Sequence, residues 1–159
     1  MKRIFLIPAA FLLILFTGCP DLCNYSDATW ITEKIETLSV NLSADSIRKN
    51  QNITASVTGT LDSKYKNCRI YWELYKEIDS DFKHIQMIYK AEGEQDWTRG
   101  WSAGQTVTAE EFNSINKTVT ILIPAEGLYK LHFYFKADNQ EEEQCVGEFS
   151  AVRAIIVGD

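Results

Sequence analysis

Ser102 is the residue whose neighbours best match a catalytic nucleophile. Residues 100–104 are GWSAG, which fits the G-x-S-x-G pattern of a strained turn that exposes a serine between a strand and a helix. The preceding residues 92–99 are polar rather than a buried strand. The acids between Ser102 and His132 lie in a predicted short helix or turn; they are Glu110, Glu111 and Glu126. We therefore expect a glycine-rich surface loop and no catalytic residue, with a serine hydrolase as a remote alternative.

Metal binding would need histidine, cysteine or carboxylate ligands at suitable spacing. The chain has two histidines, His84 and His132, and both alternate with core positions of predicted strands, so we expect them on a solvated sheet face. Asp138 and the acidic run at residues 141–143 supply oxygen ligands, but their spacing does not match a calcium loop. We predict a solvated acidic loop there, with neither a metal site nor a cofactor.

The N-terminal segment has the composition of a secretory signal, because two basic residues precede an apolar run at residues 4–16. This run is too short for a membrane-spanning helix, which takes about 20 residues. Residues 15–19, LFTGC, resemble a bacterial lipobox, with Phe16 where that family more often has Leu, Val or Ile. The resemblance implies that Cys19 is lipidated and becomes the N-terminus. The protein would then be held at a cell membrane or outer membrane, on its extracytoplasmic side.

Four cysteines are present, and disulfides persist in the oxidising compartments that an exported chain reaches. If Cys19 carries lipid, three thiols remain. Cys68 and Cys145 belong to strand-like segments far apart in the sequence, whereas Cys23 lies close to the anchor. We predict a disulfide between Cys68 and Cys145 and assign no partner to Cys23.

When the signal at residues 1–18 is removed, the remaining chain has the length of a single domain. We divide it into a lipidated tether at residues 19–34 and a folded domain at residues 35–159. The full chain carries a formal net charge of −6, and its longest charge run is the acidic one at residues 141–143. Because nucleic-acid binding requires clustered Lys and Arg, we expect no nucleic-acid partner.

Apolar and polar residues alternate with a period of two over most of the predicted domain, which indicates half-buried strands. The clearest runs are residues 38–42, 53–61, 68–75, 85–89, 119–123 and 129–136. A capping box at Thr108 and Glu111 predicts one short helix, and a change of phase near residues 149–152 predicts a bulge. With about seven strands and no crossover helix, the pattern predicts an all-β antiparallel sandwich beyond the signal helix.

Residues 121–133, ILIPAEGLYKLHF, resemble the E–F corner of immunoglobulin-like and fibronectin-type domains. The resemblance covers about residues 35–159 and implies that the hydroxyl of Tyr129 bonds back to the backbone and that Trp72 is the buried tryptophan of the family. The cysteines depart from the antibody pattern, because Cys68 begins the third predicted strand and Cys145 the last. Such a fold implies little about function, since the same sandwich hosts unrelated activities.

Amphipathic aromatic residues supply the most usable surface feature. Alternation places Tyr71, Tyr75 and Tyr134 on one outer sheet face with His132, while Trp97 and Trp101 fall in the irregular region that follows. Either group is a candidate binding surface for a protein or carbohydrate ligand. The alternative is structural, because cross-strand aromatic pairs stabilise sheets by themselves, at about 0.2 to 1 kcal/mol each.

The sequence therefore predicts a membrane-anchored, non-enzymatic lipoprotein that presents an immunoglobulin-like binding or structural module in the cell envelope. The alternative is a small inhibitor or accessory subunit of an exported enzyme or envelope complex. It would use loops at one end of the sandwich, at residues 97–104 and 138–144.

Overall fold

Twelve strands and one short helix account for most of the residues that the computed structural model describes, which are 31–114, 117–141 and 145–159. The strands are β1 (Ile31–Lys34), β2 (Ser39–Leu42), β3 (Ser46–Arg48), β4 (Gln51–Thr58), β5 (Tyr65–Ile78), β6 (Asp81–Ile85), β7 (Met87–Ala91), β8 (Thr98–Gly100), β9 (Ser102–Val107), β10 (Lys117–Ile123), β11 (Gly127–Asn139) and β12 (Cys145–Gly158). Helix α1 spans Ala109–Ser114. The predicted signal, the lipidation site Cys19 and Cys23 lie outside the described residues.

The strands form two sheets with the core between them, which confirms the predicted all-β sandwich. The larger sheet has seven strands in the order β1-β12-β11-β5-β6, with β3 paired to β12 and β9 paired to β5. The smaller sheet has the order β2-β4-β10-β7-β8. Alternate residues of each strand point into the core, so that Phe133 of the larger sheet and Ile121 of the smaller are fully buried.

The chain changes sheets at two places where the sequence predicted none. Residues 85–89, predicted as one strand, are divided between β6 of the larger sheet and β7 of the smaller, with Gln86 between them. Residues 97–104, predicted as a loop, contribute to β8 and β9, and the chain returns to the larger sheet at Trp101. These divisions, together with short edge strands, explain why the described chain has twelve strands rather than about seven.

Two edge pairings are parallel, although the sequence predicted an antiparallel sandwich throughout. Residues 31–34, predicted to belong to the tether, form β1 and pair in parallel with β12. The short strand β3 also pairs in parallel with β12, from Ser46 opposite Ile156 to Arg48 opposite Gly158. Both strands cover the outer edge of β12 and leave fewer unpaired backbone groups there.

The last strand has no bulge at residues 149–152, where the sequence predicted one. β12 pairs with β11 in an unbroken register, from Val157 opposite Gly127 to Val146 opposite Asp138. The apparent change of phase arises because Arg153 occupies an inward position while apolar Val152 points outward. The register shift of this sheet lies instead between β11 and β5, at Lys136 and Asp138.

Two local predictions are confirmed by hydrogen bonds. The backbone N–H of Glu111 donates to the Thr108 hydroxyl at 3.1 Å, and the Thr108 N–H donates to the Glu111 carboxylate at 2.7 Å, which completes the capping box of α1. The Tyr129 hydroxyl donates to the Ala125 carbonyl at 2.7 Å, as the corner resemblance implied. Trp72 is buried and packs against Phe133, with ring centroids 4.6 Å apart.

The predicted disulfide is wrong, because Cys68 and Cys145 are both buried and both free. Cys68 lies on β5 and Cys145 on β12, and β11 runs between these two strands. Adjacent strands are about 4.8 Å apart, which keeps the two Cα atoms at least about 9 Å from each other, whereas a disulfide needs them within about 7 Å. Burial, together with the nearby Asp138, raises the pKa of the Cys68 thiol to about 11.

Candidate binding surface

The outer face of the larger sheet carries a continuous group of aromatic side chains, which we call the outer aromatic cluster. Its members come from β5, β6, β11 and the junction of β8 with β9; they are Tyr75, His84, Trp101, His132 and Tyr134. The strand register brings them together, since Tyr75 lies opposite His84 and Tyr134 lies opposite Tyr71. His132 and Tyr134 are at outward positions because their strand neighbours, Leu131, Phe133 and Phe135, are buried in the core.

At the centre of the cluster, the ring of Tyr75 lies between two imidazoles. Its centroid is 4.9 Å from that of His84, with 22° between the planes, and 4.4 Å from that of His132, with 32° between the planes. Trp101 extends the row beyond His84 at 5.3 Å. Because these spacings are close to the separation of neighbouring strands, about 4.8 Å, the Tyr75 ring is packed between the two imidazoles across the strands.

Polar contacts fix these rings in place. The Tyr75 hydroxyl donates to the Glu73 carboxylate at 2.9 Å. His132 Nδ1 and the Tyr134 hydroxyl share a hydrogen bond of 2.9 Å, and His84 Nε2 lies 2.8 Å from the Trp101 carbonyl oxygen, to which it donates. A rigid set of amphipathic rings loses little conformational entropy when it binds another molecule.

The environment also sets the protonation of two members. Burial raises the pKa of Tyr75 to about 12, with the Glu73 carboxylate adding to the shift. Burial lowers the pKa of His132, and the positive charge of Lys130 acts in the same direction, against the opposing effect of Glu73. At neutral pH the cluster therefore presents a phenol and a neutral imidazole.

Exposed apolar residues enlarge this surface at both ends. Trp101 is 55% exposed, and Val152 on β12, opposite His132 in the register, is 48% exposed. Tyr71 is also exposed and packs beside Gly104, where an added Cβ would come within 2.9 Å of the tyrosine ring. Single exposed apolar residues are ordinary, but a contiguous group that includes Tyr and Trp is typical of an interaction site.

The structure brings together Tyr71, Tyr75, His132 and Tyr134, as the sequence predicted, and adds Trp101 to them. Trp97 does not join them. Its ring lies under the Lys90 ammonium group, 5.0 Å from the ring centroid, beside the smaller sheet.

His84 is a member of the cluster that the alternation pattern did not predict. The two-residue turn at Asp79 and Ser80, both with positive φ, sets the register of the β5–β6 hairpin and thereby places His84 opposite Tyr75. The register of this hairpin, and with it the position of His84, could have been predicted from the two-residue turn.

Ser102 does not form a nucleophile elbow, because it is the first residue of strand β9 rather than part of a turn between a strand and a helix. In the register, Glu73 lies directly between Ser102 on one side and His132 on the other. A hydrolytic triad needs the histidine between the serine and the acid. The order along this row is therefore wrong for proton transfer from Ser102 to His132.

Of the residues considered for a calcium site, Asp138 is engaged in other contacts. Asp138 accepts hydrogen bonds from Arg69 at 3.0 Å and from Asn67 at 2.9 Å. Glu142 and Glu143 lie outside the described residues. Within the described part of the chain, no three His, Cys, Asp or Glu side chains are grouped as metal ligands, and no helix there is long and apolar enough to cross a membrane.

Comparison with known proteins gives weak structural likenesses. No protein-family model matches the chain, and no curated protein is similar to it in sequence. The human F-spondin reeler domain is similar in structure, with a TM-score of 0.47 and 11% identity over 82% of this chain and 99% of that one. AvmM, which catalyses macrocyclisation in alchivemycin A biosynthesis, has a TM-score of 0.42 and 8% identity over 82% of this chain and 97% of that one. Spo0M, a sporulation control protein of Bacillus subtilis, has a TM-score of 0.33 and 12% identity over 77% of this chain and 49% of that one.

Proposed function

We propose that this protein is a bacterial lipoprotein, anchored through Cys19 on the extracytoplasmic side of a membrane, whose sandwich binds a polypeptide partner through the outer aromatic cluster. Its role is non-enzymatic. The observation that carries the proposal is the row of aromatic rings from Trp101 to His132, held by hydrogen bonds and flanked by exposed Val152.

The orientation of the rings favours a polypeptide over a carbohydrate. Sugars stack on exposed aromatic faces, but both faces of Tyr75 are already covered by the two imidazoles. The edges that remain offer hydroxyl and imidazole groups for hydrogen bonds, together with the apolar surface of Trp101. Tyr and Trp anchors mixed with aliphatic contacts are characteristic of protein interfaces.

An immunoglobulin-like description of the sandwich is part of the proposal. The Tyr129 corner and the buried Trp72 support it. The parallel edge strands and the two changes of sheet are departures from the simple seven-strand arrangement. Binding through the outer aromatic cluster requires only the outer face of the larger sheet, so it does not depend on whether the sandwich is immunoglobulin-like.

Intact-mass analysis of the membrane fraction tests the anchor. We expect the mass of the chain from Cys19 onward plus a lipid, and we expect the Cys19→Ala variant to keep its signal and gain no lipid. A wild-type chain that carries no lipid on Cys19 would overturn this part of the proposal.

Site-specific photo-crosslinking in the producing cell tests the binding surface. A photoreactive residue in place of Tyr71 should give one dominant polypeptide adduct, whereas the same residue in place of Asn52, on the outer face of the smaller sheet, should not. The captured partner is then purified and titrated against the full chain. We expect Trp101→Ala to weaken that binding by about tenfold or more.

The identity of the partner also decides between a general interaction module and an accessory role. An exported enzyme or envelope complex as the partner would make the protein its inhibitor or accessory subunit. Equal binding by wild type and Trp101→Ala, or binding only to a polysaccharide in glycan assays, would contradict the polypeptide assignment.

A further inference from the structure

A cleft of about 440 Å³ opens between the two sheets, on the side of the molecule where β9 and β7 face each other. Its floor consists of buried apolar residues of both sheets, including Trp72, Ala103 and Val119. Its mouth is polar and includes the exposed Glu92 and Glu94. Small-molecule sites commonly have this size and this mixture of apolar walls with few polar groups.

Lys117 is the unusual residue of the cleft. It occupies an inward position at the start of β10, is only 8% exposed and is one of the residues that line the cleft. Its ammonium group lies 4.1 Å from the centroid of the Phe112 ring, a cation–π contact. Burial lowers the pKa of Lys117, and in the described part of the chain no carboxylate compensates for this. A buried ammonium group without a counter-charge is costly.

We propose that this cleft binds a small organic monocarboxylate, with the carboxylate on Lys117 and the apolar body against Trp72 and Val119. The ligand would supply the counter-charge that the fold does not provide. This site is separate from the outer aromatic cluster, because it lies between the sheets rather than on the outer face.

The charges around the cleft restrict the class of ligand. Among the described residues that line the cleft, Lys117 is the only cation, and two carboxylates stand at the mouth, so a phosphate or another dianion would be repelled as it entered. Glu94 is held at the mouth by the Ala91 N–H, which donates to it at 3.2 Å. The volume suits a body of one or two rings or a short alkyl chain.

Calorimetric titration of the full chain tests the proposal, with indole-3-acetate, 4-phenylbutanoate and octanoate as probes and their neutral amides as matched controls. We expect at least one acid to bind and its amide to bind at least about tenfold more weakly, because the charge-assisted bond is lost. Lys117→Met should abolish the preference for the acid, while Lys83→Met, which removes an exposed lysine of β6, should not change it.

A second variant keeps the test decisive if Lys117→Met does not fold. Ala103→Leu leaves the lysine in place and fills part of the cleft, so it should weaken binding of the same acid. The proposal is overturned if no acid binds at millimolar concentration, if acid and amide bind equally, or if a folded Lys117→Met variant keeps the full preference.

Discussion

The Nε of Arg153 donates a hydrogen bond of 2.9 Å to the backbone carbonyl of Val40 and thereby joins the two sheets. Arg153 lies on β12 of the larger sheet and Val40 on β2 of the smaller. Its aliphatic stem follows the inward positions of β12 while the guanidinium group reaches the edge of the core. This bond explains why an arginine occupies a position that the alternation reserves for an apolar residue.

We predict that Arg153→Met lowers the free energy of unfolding by about 1 to 2 kcal/mol, because it removes a charge-assisted bond to a carbonyl beside the core. Urea-induced unfolding measures the change. Arg48→Met removes an exposed arginine of β3 and should leave the midpoint close to that of wild type. Equal stability of the two variants would show that the bond between the sheets contributes nothing.

The corner bond of Tyr129 gives a second prediction. Tyr129→Phe keeps the buried ring but removes the hydroxyl that donates to the Ala125 carbonyl. We expect a loss of about 1 to 2 kcal/mol in thermal or urea unfolding, and we expect little change for Tyr71→Phe, whose ring is exposed. A Tyr129→Phe variant as stable as wild type would contradict a stabilising role for the corner.

The state of the cysteines gives a third prediction. Cys68 and Cys145 are buried, and the pKa of Cys68 is raised to about 11 by burial and by Asp138, so both thiols should resist alkylation in the native protein. In urea without a reductant both should react, as peptide mass mapping of protein purified under non-reducing conditions would show. Disulfide-linked peptides containing these two residues would contradict the free thiols of the structure.

The alternation of apolar residues was sufficient to predict most long strands and the shared face of Tyr71, Tyr75 and Tyr134, and the spacing of Thr108 and Glu111 was sufficient to predict the capping box of α1. These features depend on residues close together in the sequence, where period and local hydrogen bonds carry the information. The alternation does not predict which of the two sheets a strand joins. The changes of sheet at Gln86 and Trp101 depend on distant strands, and at Gln86 the alternation of residues 85–89 continues through the change.

Long-range pairing also explains the two failures in the candidate sites. The predicted disulfide required Cys68 and Cys145 to be neighbours, but β11 lies between their strands. Trp97 and Trp101 are near each other in the sequence, yet a change of sheet between them sends one to the smaller sheet and the other to the outer aromatic cluster. Both outcomes are set by strand order, which a single sequence does not contain.

The lowered pKa of His132 gives the last prediction, on pH dependence. In the unfolded chain this imidazole titrates near its ordinary value of 6.5, whereas burial lowers its pKa in the folded protein. As pH falls below 6.5, the unfolded state takes up the proton first, so the stability contributed by neutral His132 is lost until pH passes the folded pKa. His132→Phe keeps a ring beside Tyr75 and cannot titrate.

Urea unfolding at about pH 7.5 and about pH 5.5, on either side of the ordinary histidine range, measures this effect. We expect wild type to lose more stability on acidification than His132→Phe does. Tyr134→Phe serves as the matched control, because it removes the hydrogen bond to His132 Nδ1 and leaves the imidazole able to titrate. It should therefore keep the pH dependence of wild type even if it lowers stability at both pH values. The same pH dependence in wild type and His132→Phe would show that His132 titrates alike in the folded and unfolded chains.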